Sequence, residues 1–502
     1  MFFKKLKRWH RFAIAGLVLV LLYGVHFLSC GQSPLVQFSF INQNTDMYAN
    51  LRWAESIQDQ GWLNPRPYHP DNDWMQQIAS RKQWTQWWGG DVIFQQSPLY
   101  AYFLSGLLWL NGNVLCVHLV QGLLGMGLCV LTGLIARRAT SDARVGWIAF
   151  WLAAWYSPYY AYSWTLLRDL LGWVITAVVL LLLLELDLTR ENKRKTNLMM
   201  SAVGLALGVG YLARETFLLI IPLVVAVFAI RAIRSRQYVP FVCLIGGVVM
   251  AMSPLLIRNA EVGAPLFSSS NRFAEGFIEG NAHSTLPDQF VIPPEMPSIL
   301  QKTGGKPFPV VVETLKTHPN VWSVLHLETL KLVSLFDPYE PCDNLSIYFM
   351  ENISPPIQWG LRHWMIIVPG VGGLILSLRA RDRRHFWLWL LLVPLLAGVM
   401  IGTPLSRYRQ SLVILWIPWA AFFLVTLWKT FNQNRRAASI MLVAVLLGWT
   451  GCLTVFSMVP KSQYERPWEY SMAITVYERM GQADKAEEMK QLFRQKFPGQ
   501  EP

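Results

Sequence analysis

Residues 170–184 read Leu-Leu-Gly-Trp-Val-Ile-Thr-Ala-Val-Val-Leu-Leu-Leu-Leu-Leu, with Arg168-Asp169 before them and Glu185 after. No charge interrupts the run, and it neither alternates nor leaves a polar face. With its flanks it reaches the roughly 20 residues that cross about 30 Å of hydrocarbon. Similar blocks occur at Phe12–Leu28 and Met441–Val459. Because they lack the two-residue alternation of barrel strands, helices are the spanning form they allow. The whole composition agrees: 53% of the 502 residues are hydrophobic and 15% charged, against about 25% charged in soluble domains.

The formal net charge of +13 does not imply a nucleic-acid partner. Lys and Arg collect in short connectors between apolar blocks, with no basic domain. That is the pattern of positive-inside topology. The connectors Arg137–Arg144, Arg190–Lys195, Arg231–Arg236, Arg379–Arg384 and Lys429–Arg436 are expected on the cytoplasmic side. About eleven spans follow, near 12–30, 114–137, 143–161, 164–187, 197–213, 215–233, 239–257, 358–378, 385–402, 410–428 and 437–459. The chain is then an all-α polytopic protein of the inner (plasma) membrane, N-in and C-out. Residues 1–30 read as an uncleaved signal-anchor. The six Cys show no CxxC and no metal-ligand spacing.

Pro98–Leu110 is apolar but only about 13 residues long, too short to span comfortably. It is expected to lie as an interfacial helix on the outer surface. A transmembrane domain over 1–459 then carries outer loops 31–97 and 258–357. Residues 460–502 form a small helical tail outside, a hairpin turning at Gly481 and resting on those loops.

The first outer loop opens Asn42-Gln43-Asn44-Thr45-Asp46-Met47-Tyr48. A carboxylate held near the headgroups there can take a proton from an attacking hydroxyl, and Thr45 or Asp46 can cap the following helix. Arg168-Asp169 and Arg214-Glu215 place charge pairs at the outer ends of spans. Arg214, Arg258, Arg407 and Arg409 stand at outer mouths, against the positive-inside trend. Four such arginines read as an anion site, because a guanidinium fork suits phosphate. An anion at the membrane edge is naturally a lipid phosphate. The Trp-rich first loop offers Trp87-Trp88 as a sugar-stacking pair, with headgroup anchoring as the plainer reading.

In this order and sidedness, residues 10–430 resemble the GT-C class of integral-membrane glycosyltransferases. The branch is that of protein O-mannosyltransferases and aminoarabinose transferases, which use polyprenyl-phosphate sugars. Asp46-Met47-Tyr48 with Ala49 and Gly61 resembles the first-loop acidic motif, and Gln96-Ser97-Pro98-Leu99-Tyr100 a Pro-Pro-Leu-Tyr stretch. Gly204–Arg214, Arg258-Asn259 with Gly263, Gly280-Asn281 and Arg407-Tyr408-Arg409 have counterparts in sequence order. Met47 stands where many members carry Glu, and Ser97 where they carry Pro.

The resemblance implies inverting transfer of a sugar from a polyprenyl-phosphate donor to an acceptor on the outer face. The acceptor class stays open among protein, glycolipid and polymer. Asp46 is implied as the base and Asp169 as a second acid, the two being the candidates for a divalent cation. Arg258, Arg407, Arg409 and Arg214 are implied at the donor phosphate, and Tyr48, Tyr100, Trp87 and Trp88 at the substrates. A lipid or polysaccharide-precursor transporter, or a non-catalytic scaffold, is the alternative. A transporter would show broken helices with mid-membrane charges, whereas these charges sit at the outer mouths.

Overall fold

The computed structural model describes residues 8–186, 192–287, 289–341, 344–456 and 465–501. Parts of the basic stretches at 4–8 and 190–195, together with Cys342 and 457–464, lie outside the described residues. Among the described residues there is no strand, only a parallel bridge between Tyr156 and Leu361. Ten helices among the described residues are long and apolar enough to cross a membrane: Phe12–Gly31, Val114–Thr140, Asp169–Leu186, Lys193–Ala213, Phe217–Ser235, Val239–Val262, His363–Ala380, Arg383–Ile401, Ser406–Gln433 and Arg435–Thr454.

The expected continuous span at 143–161 is the correction. The chain there forms a helix at Ala143–Ala154, a break, and a second short helix at Ser157–Ser163. Pro158 falls in the first turn of the second helix, where its missing N–H costs nothing and its ring favours a new start over continuation of the first. The exposed backbone groups are met by another segment: Ser157 N–H donates to the Leu361 carbonyl at 3.0 Å, and Leu361 N–H to that of Trp155 at 2.6 Å. Such substitution is what permits a break at membrane depth.

Helix pairs close where side chains vanish. Gly204 and Gly247 let Lys193–Ala213 and Val239–Val262 touch backbone to backbone; a Cβ at Gly204 would overlap the Leu244 carbonyl. Small residues at such contacts substitute dispersion for the hydrophobic drive that lipid removes.

Two ends of the bundle are chemically distinct. At one, Arg138 pairs with Glu185, and Asp142 accepts from Arg144 at 2.9 Å and from Lys429 at 3.0 Å. Arg384 reaches the Thr140 carbonyl at 3.4 Å. The basic connectors represented in these contacts therefore share one end. The opposite end carries the helices of the first loop, including Asp46–Gln60, and those of the 258–357 segment. The Leu99–Asn111 helix lies there against Asp46–Gln60, burying Tyr100 and Leu104 while Trp109 and Leu110 stay exposed. The tail forms the helices Pro467–Arg479 and Ala483–Lys496. It docks through Trp468 on Phe38 and Tyr470 on Phe349.

Candidate active site

Thr45 caps the Asp46–Gln60 helix, its Oγ1 accepting from the Tyr48 N–H at 3.3 Å. Asp46 is thereby the first helical residue, where the positive end of the helix dipole favours an acid. Its N–H donates to Asn344 Oδ1 at 2.6 Å. Its carboxylate is held by two guanidinia: Arg407 Nη1 at 2.7 Å on Oδ2 and Arg272 Nη1 at 3.2 Å on Oδ1. Gln96 Nε2 at 3.3 Å and Asn344 Nδ2 at 3.4 Å complete the set. Five segments far apart in the chain thus meet on one carboxylate.

Beside it, the two adjacent charge pairs are crossed. Arg168 pairs with Glu215 at 2.6 Å, and Arg214 pairs with Asp169. Glu215 also accepts from the Ser97 N–H at 3.2 Å and its hydroxyl at 3.0 Å. Consecutive residues point to different sides of a turn or helix and cannot face each other. Crossing gives each of the four groups an opposite charge and ties the ends of two spans to the Ser97-Pro98 entry of the Leu99–Asn111 helix. The Tyr408 ring lies near two guanidinia, Arg407 at 4.8 Å and Arg214 at 5.8 Å from its centroid.

In front of Asp46 opens a cavity of about 510 Å³. Arg168, Arg214, Arg272 and Arg407 line it together with Glu215 and Glu279, and Leu218, Leu219, Phe267, Phe273, Phe277 and Ile401 add apolar lining. All of the latter but Phe277 are at least about a third exposed. Asp46 itself does not line the cavity; the Arg272 and Arg407 guanidinia do. Four guanidinia outnumber the two lining carboxylates, and with the exposed apolar side chains beside them they suit an anion carried on a hydrocarbon.

Burial pushes the Asp46 carboxyl upward, but Arg272 and Arg407 overcome this and hold it well below the usual carboxylate range. Burial likewise raises Glu215 and Arg168 more than reverses it. Glu275 is pushed up to about 7, because its burial outweighs the opposing Arg272 guanidinium at 3.8 Å and the Trp88 N–H. A divalent cation does not fit these donors. Both oxygens of Asp46 accept from guanidinia, and Asp169 faces Arg214. Among the described residues no three His, Cys, Asp or Glu side chains converge.

No family model and no curated protein matches the chain. Solved structures do. It is similar to the oligosaccharyltransferase of Archaeoglobus fulgidus in its apo form, with 12% identity and a TM-score of 0.49. It is also similar to the archaeal oligosaccharyltransferase AglB of that organism in complex with an inhibitory peptide and a dolichol-phosphate, with 15% identity and a TM-score of 0.45. Both matches cover 98% of this chain and 61% of the other. The chain therefore spans about three fifths of the length of those proteins. At this level of likeness, function has to be argued from the side chains.

Of the residues singled out in the sequence, Asp46, Arg407, Arg214 and Asp169 belong to this region, with Asp169 acting on Arg214. Arg258 does not line the cavity. Its guanidinium donates to the carbonyls of Leu63 at 2.9 Å and Asn64 at 2.8 Å and stacks 4.0 Å over Phe94. Arg409 is also spent elsewhere, on the carbonyls of Ser334, Asp337 and Tyr339 and on Glu340 at 3.0 Å. Tyr100 is buried, its hydroxyl 2.6 Å from Gln121 Oε1, and Tyr48 sits under Arg52. Trp87 and Trp88 are buried with Met75, Trp84 and Ile278, so neither ring is open for stacking. Arg272, Gln96 and Asn344 were not expected at Asp46. Only Gln96 lay in a quoted motif, and Arg272 is one basic residue in an unpatterned loop.

Proposed function

We propose that the chain is a GT-C-class glycosyltransferase that takes a sugar from a polyprenyl-phosphate donor on the outer face of the membrane, with inversion. The observation that carries this reading is the cavity itself: four guanidinia and exposed apolar side chains line one space, with Asp46 bonded to two of those guanidinia. The lipid phosphate would lie on Arg168, Arg214, Arg272 and Arg407, its prenyl chain along Leu218, Phe267 and Phe277. The acceptor's hydroxyl or amide attacks the anomeric carbon from the face opposite the phosphate. A bond from the acceptor to C1 forms as the C1–O bond to phosphate breaks, and the electron pair leaves on the phosphate. Charge grows there, where preorganised guanidinia stabilise it most. The acceptor's proton passes to Asp46.

The test uses the full-length protein in nanodiscs with radiolabelled polyprenyl-phosphate sugars extracted from the host membrane. Asp46→Asn should insert and fold normally while transfer falls by about 10²–10⁴-fold, the usual contribution of a positioned base. Full activity in that variant would remove Asp46 from the reaction.

A further inference from the structure

The ion pairs on Asp46 conflict with its work as a base, and the conflict points to a device. A carboxylate gripped by two guanidinia has little affinity for a proton. Both grips, Arg407 at 2.7 Å and Arg272 at 3.2 Å, come from residues that line the cavity, while Asp46 stands behind them. An anion entering the cavity therefore meets the guanidinia before it meets the acid. Arg407 begins the Ser406–Gln433 helix and Arg272 precedes Phe273–Asn281, so the two grips come from separate elements.

Resting on the donor-phosphate reading above, we propose that Arg272 and Arg407 form a latch on Asp46 which the donor's phosphate opens by drawing both guanidinia toward itself. The base is then armed only when donor is bound. The charged groups facing Asp46 are Arg272, Arg407 and Arg168, with Glu279 and Glu275 beyond Arg272. Arg168 is no replacement cation for Asp46, because it pairs with Glu215 at 2.6 Å and lines the cavity that the phosphate would enter. During transfer Asp46 accepts the acceptor's proton. When the polyprenyl phosphate departs, the guanidinia return to Asp46 and the proton is expelled to water. The cycle balances without any added reactant, and it keeps the base inert toward water and acceptor in the empty enzyme.

The latch predicts that Asp46 competes with phosphate. Binding of undecaprenyl phosphate, carrying no sugar, is measured on the full chain in nanodiscs. Asp46→Asn should tighten it by about fivefold or more. In an Arg407→Gln background the same substitution should tighten it by about twofold or less, since coupled residues are not additive. The asparagine keeps the backbone bond to Asn344, and an unchanged melting profile confirms the fold. A pH series adds an independent readout, because kcat/KM for the donor reports free-enzyme ionisations and kcat those of the complex. The acid limb of kcat should lie at least about one pH unit above that of kcat/KM. Wild-type binding with no tightening by Asp46→Asn, or equal tightening in both backgrounds, would overturn the latch while leaving the donor site standing. Absence of binding to every variant would overturn the donor site and the latch together.

Discussion

Arg214 reaches past Glu215, its neighbour in the chain, to pair with Asp169, 45 residues earlier. Asp169 is 1% exposed and Arg214 10%. Removing one partner leaves a buried charge uncompensated, which costs about 3–5 kcal/mol. Asp169→Asn should therefore lower the thermal stability of the detergent-solubilised protein, and Asp169→Leu combined with Arg214→Met should restore part of it. An unchanged melt for Asp169→Asn would show that the pair does not hold the span ends. Because Arg214 also lines the cavity, the double variant should still weaken donor binding.

Arg407 and Arg409 look equivalent in the sequence and are not. Two residues apart on a helix are rotated by roughly 200°, so one guanidinium faces Asp46 and the cavity while the other enters the turn at 334–340. Arg407→Ala should weaken the donor and slow transfer with little loss of stability. Arg409→Ala should destabilise by several kcal/mol, because it strands three carbonyls and Glu340 in the interior. Lysine should not rescue position 409, since it lacks the planar fork that serves four acceptors. Thermal melts run beside transfer assays separate the two. Equal stability losses would contradict the division of roles.

What was legible follows from range. Apolar blocks and basic connectors are local signals, so ten of the spans were readable, as was a cap at Thr45 or Asp46, of which the structure uses Thr45. The break at Trp155-Tyr156 was not, because its backbone bonds come from Leu361, some 200 residues away. Asp46 stood out as an acid in a polar loop at the membrane edge. Its partners did not: Arg272 comes from a segment packed around Trp88, Ile278 and Met296, and Asn344 from one packed into the main core through Leu345 and Ile347, neither marked by a local motif. Arg258 misled for a related reason. A cation at a span mouth looks the same whether it awaits a ligand or holds two carbonyls.

Arg258→Ala tests that last distinction. The guanidinium caps the carbonyls of Leu63 and Asn64 and covers Phe94. Its loss should free the 61–66 turn, seen as faster protease cleavage or amide exchange there. Donor KM, measured on whatever fraction remains folded, should move by less than about threefold, below what a direct charge-assisted phosphate contact contributes. A selective rise in donor KM with an unperturbed turn would return Arg258 to the phosphate site.

The tail carries a pH dependence of definite sign. Glu469 is fully buried where the hairpin meets the Ile347–Glu351 helix, its Oε1 accepting from the Ser346 N–H at 2.6 Å. Burial pushes its pKa from the model-compound 4.5 up to about 8. A folded-state pKa above the unfolded one means the docked hairpin holds a proton that the free hairpin releases. Docking is therefore strongest below about pH 4.5 and weakens as pH rises toward 8, by up to about 1.4 kcal/mol per unit. Hydrogen exchange over 467–496 should quicken across that window in the wild type. Glu469→Gln keeps the acceptor and removes the ionisation, so its exchange should lose this pH-dependent opening and stay slow at pH 8. Ser346 lies two residues from Asn344, which contacts Asp46, so weaker docking should also lower transfer at high pH in the wild type more than in Glu469→Gln. Identical pH profiles for the two proteins would separate the tail from the site.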